Sequence, residues 1–138
     1  MKIYFAASIR GGRNDVEIYK ELINYLKNDH QVLTEHIGDY NLSIQGQNQL
    51  KDSFIRNRDI DWLKQSDIVI AEATNPSLGV GYELAMAERL NKPVIVLHRS
   101  NGTQLSAMIA GTEYFTKIFE YQTVEEAEKI LGKELKRS

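Results

Sequence analysis

Two carboxylates, Glu83 and Asp59, stand where carboxylates are costly unless they act. Glu83 lies in Thr74-Asn75-Pro76-Ser77-Leu78-Gly79-Val80-Gly81-Tyr82-Glu83-Leu84-Ala85. A helix expected from about Val80 places it on the face of Ala87 and Leu90, toward the core. Near the positive end of that helix its ionised form gains about 0.3–1 kcal/mol. Asp59 has Ile55 at i−4, Trp62 at i+3 and Leu63 at i+4, an apolar stripe, whereas Asp61 faces Asn57, Arg58, Lys64 and Gln65. Desolvation beside a second carboxylate raises a pKa, so the expectation is Glu83 as anion and Asp59 as acid. One nucleophile and one acid are the equipment for displacement at an anomeric carbon. The simpler readings are that Glu83 complements the helix dipole and that Asp59 pairs with Arg56 or Arg58.

Two small-residue loops suit an anion. Ser8-Ile9-Arg10-Gly11-Gly12-Arg13 follows one apolar run and leads into a helix whose expected N-cap is Asn14 or Asp15. It offers backbone N–H groups, a hydroxyl and two arginines, and no Gly-Lys-Ser/Thr makes it a Walker loop. The plainer alternative is a Gly-Gly turn with solvated arginines. Ser77 and the Gly79 N–H give the second loop the same character. Tyr4 projects toward the same strand ends, His36 follows the second strand, and Ser106 fits an N-cap, each a weak signal alone.

The elements that must hold these residues alternate: strands at 2–6, 31–34, 67–72, 93–97 and 117–120, helices at about 14–28, 48–65 and 80–91, a short one near Gln104, and a last one capped by Thr123 with Glu126. Nearly continuous apolar strands separated by helices imply an α/β fold, a single doubly wound Rossmann-like or flavodoxin-like domain over residues 1–138 with a five-stranded parallel sheet. Such sheets bind ligands beyond the carboxyl ends of their strands. The loops Ala7–Arg13, Ala73–Gly79 and His98–Ser106 are therefore expected to line the site.

A chain of 138 residues with 42% hydrophobic composition builds one core. A formal charge of −2 argues against a nucleic acid polymer as partner and leaves a small anion compatible. There is no cysteine, and the three histidines, His30, His36 and His98, lack ligand spacing, so neither a metal nor another cofactor is expected. Without an apolar run near 20 residues or a signal-like start, no membrane association and a cytoplasmic location are expected.

Taken in order, Tyr4-Phe5, Ser8-Ile9-Arg10-Gly11-Gly12-Arg13, Leu33-Thr34-Glu35-His36, Asp59 with Trp62-Leu63, Pro76 through Leu84, and Leu105-Ser106-Ala107-Met108-Ile109 run over nearly the whole chain. In these motifs the sequence resembles the 2′-deoxynucleoside 5′-phosphate N-hydrolases, within the nucleoside 2-deoxyribosyltransferase-like superfamily. The resemblance implies that Glu83 attacks C1′ of the deoxyribose, that Asp59 assists departure of the base, and that water cleaves the glycosyl-enzyme. Tyr4 would lie beside the nucleophile and sugar. The 5′-phosphate would be held by Ser8 to Gly12, by Ser77 and Gly79, and by Ser106 from a neighbouring subunit, making a homodimer with a shared site. The implied substrate is a deoxynucleoside 5′-monophosphate. The chain departs from the pattern in Asp39–Leu50, at Ala6-Ala7 and at Arg99–Gln104, which bears on base preference.

Three alternatives share the scaffold. A nucleoside 2-deoxyribosyltransferase would use the same glutamate without an anion clamp, and tends to complete its site with a neighbour's C-terminal segment, whereas Lys133–Ser138 reads as solvated. A pyrimidine ribonucleotide N-glycosidase would need room for a 2′-hydroxyl near Tyr4. A catalytically inactive nucleotide sensor would lack one of the carboxylates.

Overall fold

The computed structural model describes residues 1–9, 13–34 and 51–136. The elements are β1 (Lys2–Ala7), α1 (Arg13–Lys27), β2 (Gln31–Val32), α2 (Asp52–Gln65), β3 (Ile68–Glu72), α3 (Leu78–Arg89), β4 (Val94–Arg99), α4 (Ala107–Ala110), β5 (Ile118–Tyr121) and α5 (Val124–Leu135). Every strand pair is parallel and the order is β2-β1-β3-β4-β5, the five-stranded α/β architecture expected. The chain steps from β1 outward to β2 and then back across to β3. The switch point therefore falls between β1 and β3, where their carboxyl ends part.

Period-two alternation sorts the strands onto two faces. Ile3, Phe5 and Ala7 pack with Tyr19, Leu22 and Leu26 of α1 and Ala127 and Leu131 of α5. Tyr4 and Ala6 point the other way, to Ile60 and Leu63 of α2 and Val80, Leu84 and Ala87 of α3. That parity puts Tyr4 on the same face as Asp59 and Glu83. The Thr123 hydroxyl accepts the Glu126 N–H at 3.2 Å, as expected of a cap. The Glu126 carboxylate meets the Gln122 N–H at 3.4 Å instead of closing the box on Thr123.

Several boundaries differ from expectation. β2 stops at Val32 because the Thr34 hydroxyl takes over the pairing, accepting the Phe5 N–H at 2.9 Å and donating to the Phe5 carbonyl at 2.7 Å. α1 starts at Arg13, so neither Asn14 nor Asp15 is its cap. α3 starts at Leu78, two residues early, with Ser77 as the cap: its Oγ accepts the Val80 N–H at 3.2 Å. The C-terminal end is less solvated than its charge suggested. Leu135 is buried, and Glu134 pairs with Lys117 at 3.2 Å.

Candidate active site

At the carboxyl ends of β1 and β3 a cleft of about 450 Å³ opens between α2 and α3, lined among others by Ile9, Ile55, Asp59, Ser77, Gly79 and Glu83. Tyr4, 1% exposed beneath it, donates its hydroxyl to Glu83 Oε2. That bond spends one carboxylate oxygen on orientation and leaves the other to the cleft. Burial drives the Glu83 pKa up, the Tyr4 bond pulls it partly back and the charge of Asp59 raises it again, leaving it at about 7. Burial and then the Glu83 charge push the Tyr4 phenol up, so it remains a neutral donor.

A raised pKa, expected at Asp59, is present at Glu83. With α3 beginning at Leu78, Glu83 sits in the second turn, beyond the stretch where the helix dipole acts strongly. Desolvation decides, and Glu83, expected as the anion, carries the raised pKa. Asp59 makes the ion pair that the simpler reading allowed, with Arg58 Nε at 3.1 Å and Nη2 at 3.0 Å. The Arg58 guanidinium in turn lies 4.7 Å from the centre of the Trp62 ring. Asp59 nevertheless lines the cleft and is close enough to Glu83 and Tyr4 to shift both. A carboxylate tuned near neutrality, oriented by a tyrosine and faced by a second carboxylate, is suited to attack carbon while its neighbour manages a proton.

The model of the nucleoside 2-deoxyribosyltransferase family matches residues 3–130. The chain belongs to this family. It is 51% identical over 115 residues to the 5-hydroxymethyl-dUMP N-hydrolase of Tetraodon nigroviridis, covering 82% of this chain and 81% of that one. With the protein of the same name from Danio rerio it shares 46% over 129 residues, 93% of this chain and 90% of the other. A solved structure of a CMP N-glycosidase from Clostridium botulinum superposes with a TM-score of 0.66 over 99% of both chains at 16% identity, a likeness of fold.

Within this family member the remaining expected residues fall in three places. Ser8 is buried at the end of β1, while partly exposed Ile9 lines the cleft with Ser77 and Gly79. A Cβ on Gly79 would meet only Ser77 Oγ, at 3.8 Å, so the fold itself does not require glycine there. Ser106 caps α4, accepting the Met108 N–H at 3.3 Å, and lies outside the Glu83 cleft. It lines a neighbouring groove of about 710 Å³ with Ser77 and Leu78. Arg10, Gly11, Gly12 and His36 lie outside the described residues.

Sequence reasoning missed part of the cleft wall. Arg56, considered only as a partner for Asp59, donates from Nη2 to the Tyr82 hydroxyl at 2.9 Å, and both line the cleft. It also missed what Asp15 does. Instead of capping α1, Asp15 accepts from Arg99 Nη2 at 2.8 Å and from the Asn75 amide. These partners are 84 and 60 positions away, and no local pattern connects them.

Proposed function

We propose that this protein hydrolyses the N-glycosidic bond of 2′-deoxynucleoside 5′-monophosphates to free base and 2-deoxyribose 5-phosphate. The observation that carries the reading is Glu83 itself, bonded by Tyr4, shifted to about 7 and facing Asp59 at the switch point. The Glu83 oxygen not held by Tyr4 attacks C1′ while the C1′–N bond breaks, and Asp59 assists protonation of the departing base. Water, deprotonated by the same acid–base group, then releases the sugar from Glu83. Ser77 and the open backbone at Gly79 supply donors for the 5′-phosphate, with Ser8, Arg10, Gly11 and Gly12 completing the grip. Tyr4, packed against the nucleophile, restricts space beside C2′. The relatives' names make 5-hydroxymethyl-dUMP the first nucleotide to try. A cytoplasmic location, where free nucleotides are available, is part of the proposal.

A homodimer with a shared site belongs to the same reading. Leu78 is 96% and Met108 82% exposed, and both line the groove that holds Ser106. A second copy seated there would bury them and bring its own Ser106 to the phosphate end of the cleft. Mixing Glu83→Ala with Ser106→Arg protein tests this: random exchange should restore about a quarter of wild-type activity. No recovery after subunit exchange would remove the shared site.

The function is tested by incubating the protein with each deoxynucleoside monophosphate, the parent nucleosides and a ribonucleotide, and separating free bases. Phosphate-dependent release from deoxynucleotides is expected. Turnover indifferent to phosphate, or base exchange exceeding hydrolysis, would overturn the proposal in favour of a deoxyribosyltransferase.

A further inference from the structure

Neighbouring residues on a helix point about 100° apart, so side chains at i and i+1 meet only when one of them is bent over toward the other. Arg58 and Asp59 do meet. Arg58 Nε donates to Asp59 Oδ1 at 3.1 Å, and Nη2 lies 3.0 Å from the same oxygen. Nη2 is buried there without an aligned hydrogen bond, so it adds charge and not a second bond. Two aromatic rings, one turn to either side, account for the bend. The guanidinium carbon lies 4.7 Å from the centre of the Trp62 ring at i+4 and 6.0 Å from that of Phe54 at i−4. A cation over an aromatic face is attracted by the ring quadrupole, most strongly by an indole. The Arg58 and Asp59 side chains are 22% exposed each. Seated between rings, the guanidinium has less freedom to lose than one in a solvated surface pair. Its charge also reaches the other reacting groups. Burial, then Glu83 and Asp59, push the Tyr4 phenol up, and Arg58 draws it back.

We infer that Arg58 is a positioning residue for the acid–base group of the reaction: seated between Trp62 and Phe54, it holds Asp59 through Oδ1 and presents that carboxylate to the cleft in one orientation, without touching substrate. This rests on Asp59 acting as the acid in the reaction proposed above. Arg58 does for Asp59 what Tyr4 does for Glu83, fixing one oxygen of the carboxylate. A carboxyl group displaced by an ångström from the departing base transfers its proton poorly, which is why an orienting partner is felt in the rate.

The test compares 5-hydroxymethyl-dUMP, or whichever deoxynucleotide the wild type cleaves faster, with an analogue whose base carries fluorine and departs as a more stable anion. Single-turnover rates and KM are measured for Arg58→Gln, Arg58→Lys, Trp62→Leu, Asp59→Asn and the double variant of Arg58→Gln with Asp59→Asn. Arg58→Gln should slow cleavage about tenfold with KM within about threefold, and the loss should shrink on the fluorinated nucleotide. In the Asp59→Asn background the same change should cost no more than about twofold, because Arg58 acts through Asp59. Arg58→Lys, which restores the charge without the planar fork, should recover part of the loss. Trp62→Leu should show the same leaving-group pattern at about threefold. Losses that multiply in the double variant, or an Arg58→Gln loss equal on both nucleotides, would overturn the inference. So would an unchanged rate in Arg58→Gln where Asp59→Asn is slow. If the wild type cleaves no deoxynucleotide, the function reading has failed instead, and if Asp59→Asn alone is harmless, Asp59 is not the acid; both failures are distinct from that of Arg58.

Discussion

Two carboxylates sit at the carboxyl edge of one sheet in contrasting surroundings. Glu72, 1% exposed, accepts three hydrogen bonds: from the Thr74 N–H at 2.8 Å, from Thr74 Oγ1 at 2.7 Å and from the Tyr121 hydroxyl. Glu83 accepts from Tyr4, has Asp59 as a like-charged neighbour and opens to a cleft. Desolvation with few donors makes a carboxylate basic and leaves lone pairs for chemistry, while a carboxylate whose lone pairs are taken by donors serves as a structural strut. Among the described donors, Glu72 has three and Glu83 one, and Glu72 is buried where Glu83 is partly exposed to the cleft.

The strongest way to break the comparison is to remove each acid's charge. Glu83→Gln should lower kcat by at least about 10³-fold, the scale of losing a nucleophile, while the variant still binds nucleotide by calorimetry. Activity within tenfold of wild type would return Glu83 to a structural role. Next comes Asp59→Asn, expected to cost about 10²-fold through lost acid assistance. Its effect should shrink for substrates whose base leaves readily without a proton. A uniform loss across leaving groups would make Asp59 a partner of Arg58 and nothing more.

Tyr4→Phe probes the donor that Glu83 keeps among the described residues. In the wild type, kcat/KM should rise with pH through an inflection near 7, because the nucleophile must be ionised. Tyr4 holds the Glu83 pKa down, so removing its hydroxyl should move that inflection to higher pH. The activity loss, about tenfold at pH 7, should narrow on going to pH 9. An inflection moving to lower pH would contradict the assigned bond.

The fold and the chemistry were legible to different degrees. Five strands and their helices followed from apolar runs such as Ile68–Ala71 and Val94–Leu97, because a parallel sheet covered on both faces leaves a near-continuous signature. The pairing of Asp59 with Glu83 followed from helical periodicity. Ionisation did not, because it turned on where α3 begins, and Ser77 rather than a later residue caps it. A two-residue shift of a helix start moved Glu83 out of reach of the dipole and left burial in control. The Asp15–Asn75–Arg99 cluster was illegible for another reason: contacts among polar residues at the start of a helix, in a loop and at the end of a strand leave no period in the sequence.

The smallest effect on activity is expected from Glu72→Gln, and it decides whether donor number is the right variable. An amide in that place turns one acceptor into a donor facing donors, at a cost of about 1–3 kcal/mol, with turnover per folded molecule unchanged within about threefold. Glu83→Gln has the opposite sign. The folded-state pKa of Glu83 lies above the ordinary 4.5, so the fold takes up a proton between about pH 4.5 and 7. Stability therefore falls as pH rises through that window and is lowest above it. Replacing Glu83 by the neutral amide removes that dependence and should stabilise the protein at pH 8 by up to about 3 kcal/mol. Thermal unfolding of the two variants at pH 8 should thus move Tm in opposite directions, by several degrees each at about 2–5 °C per kcal/mol. If both shift the same way, saturation by donors is not what distinguishes the strut from the nucleophile.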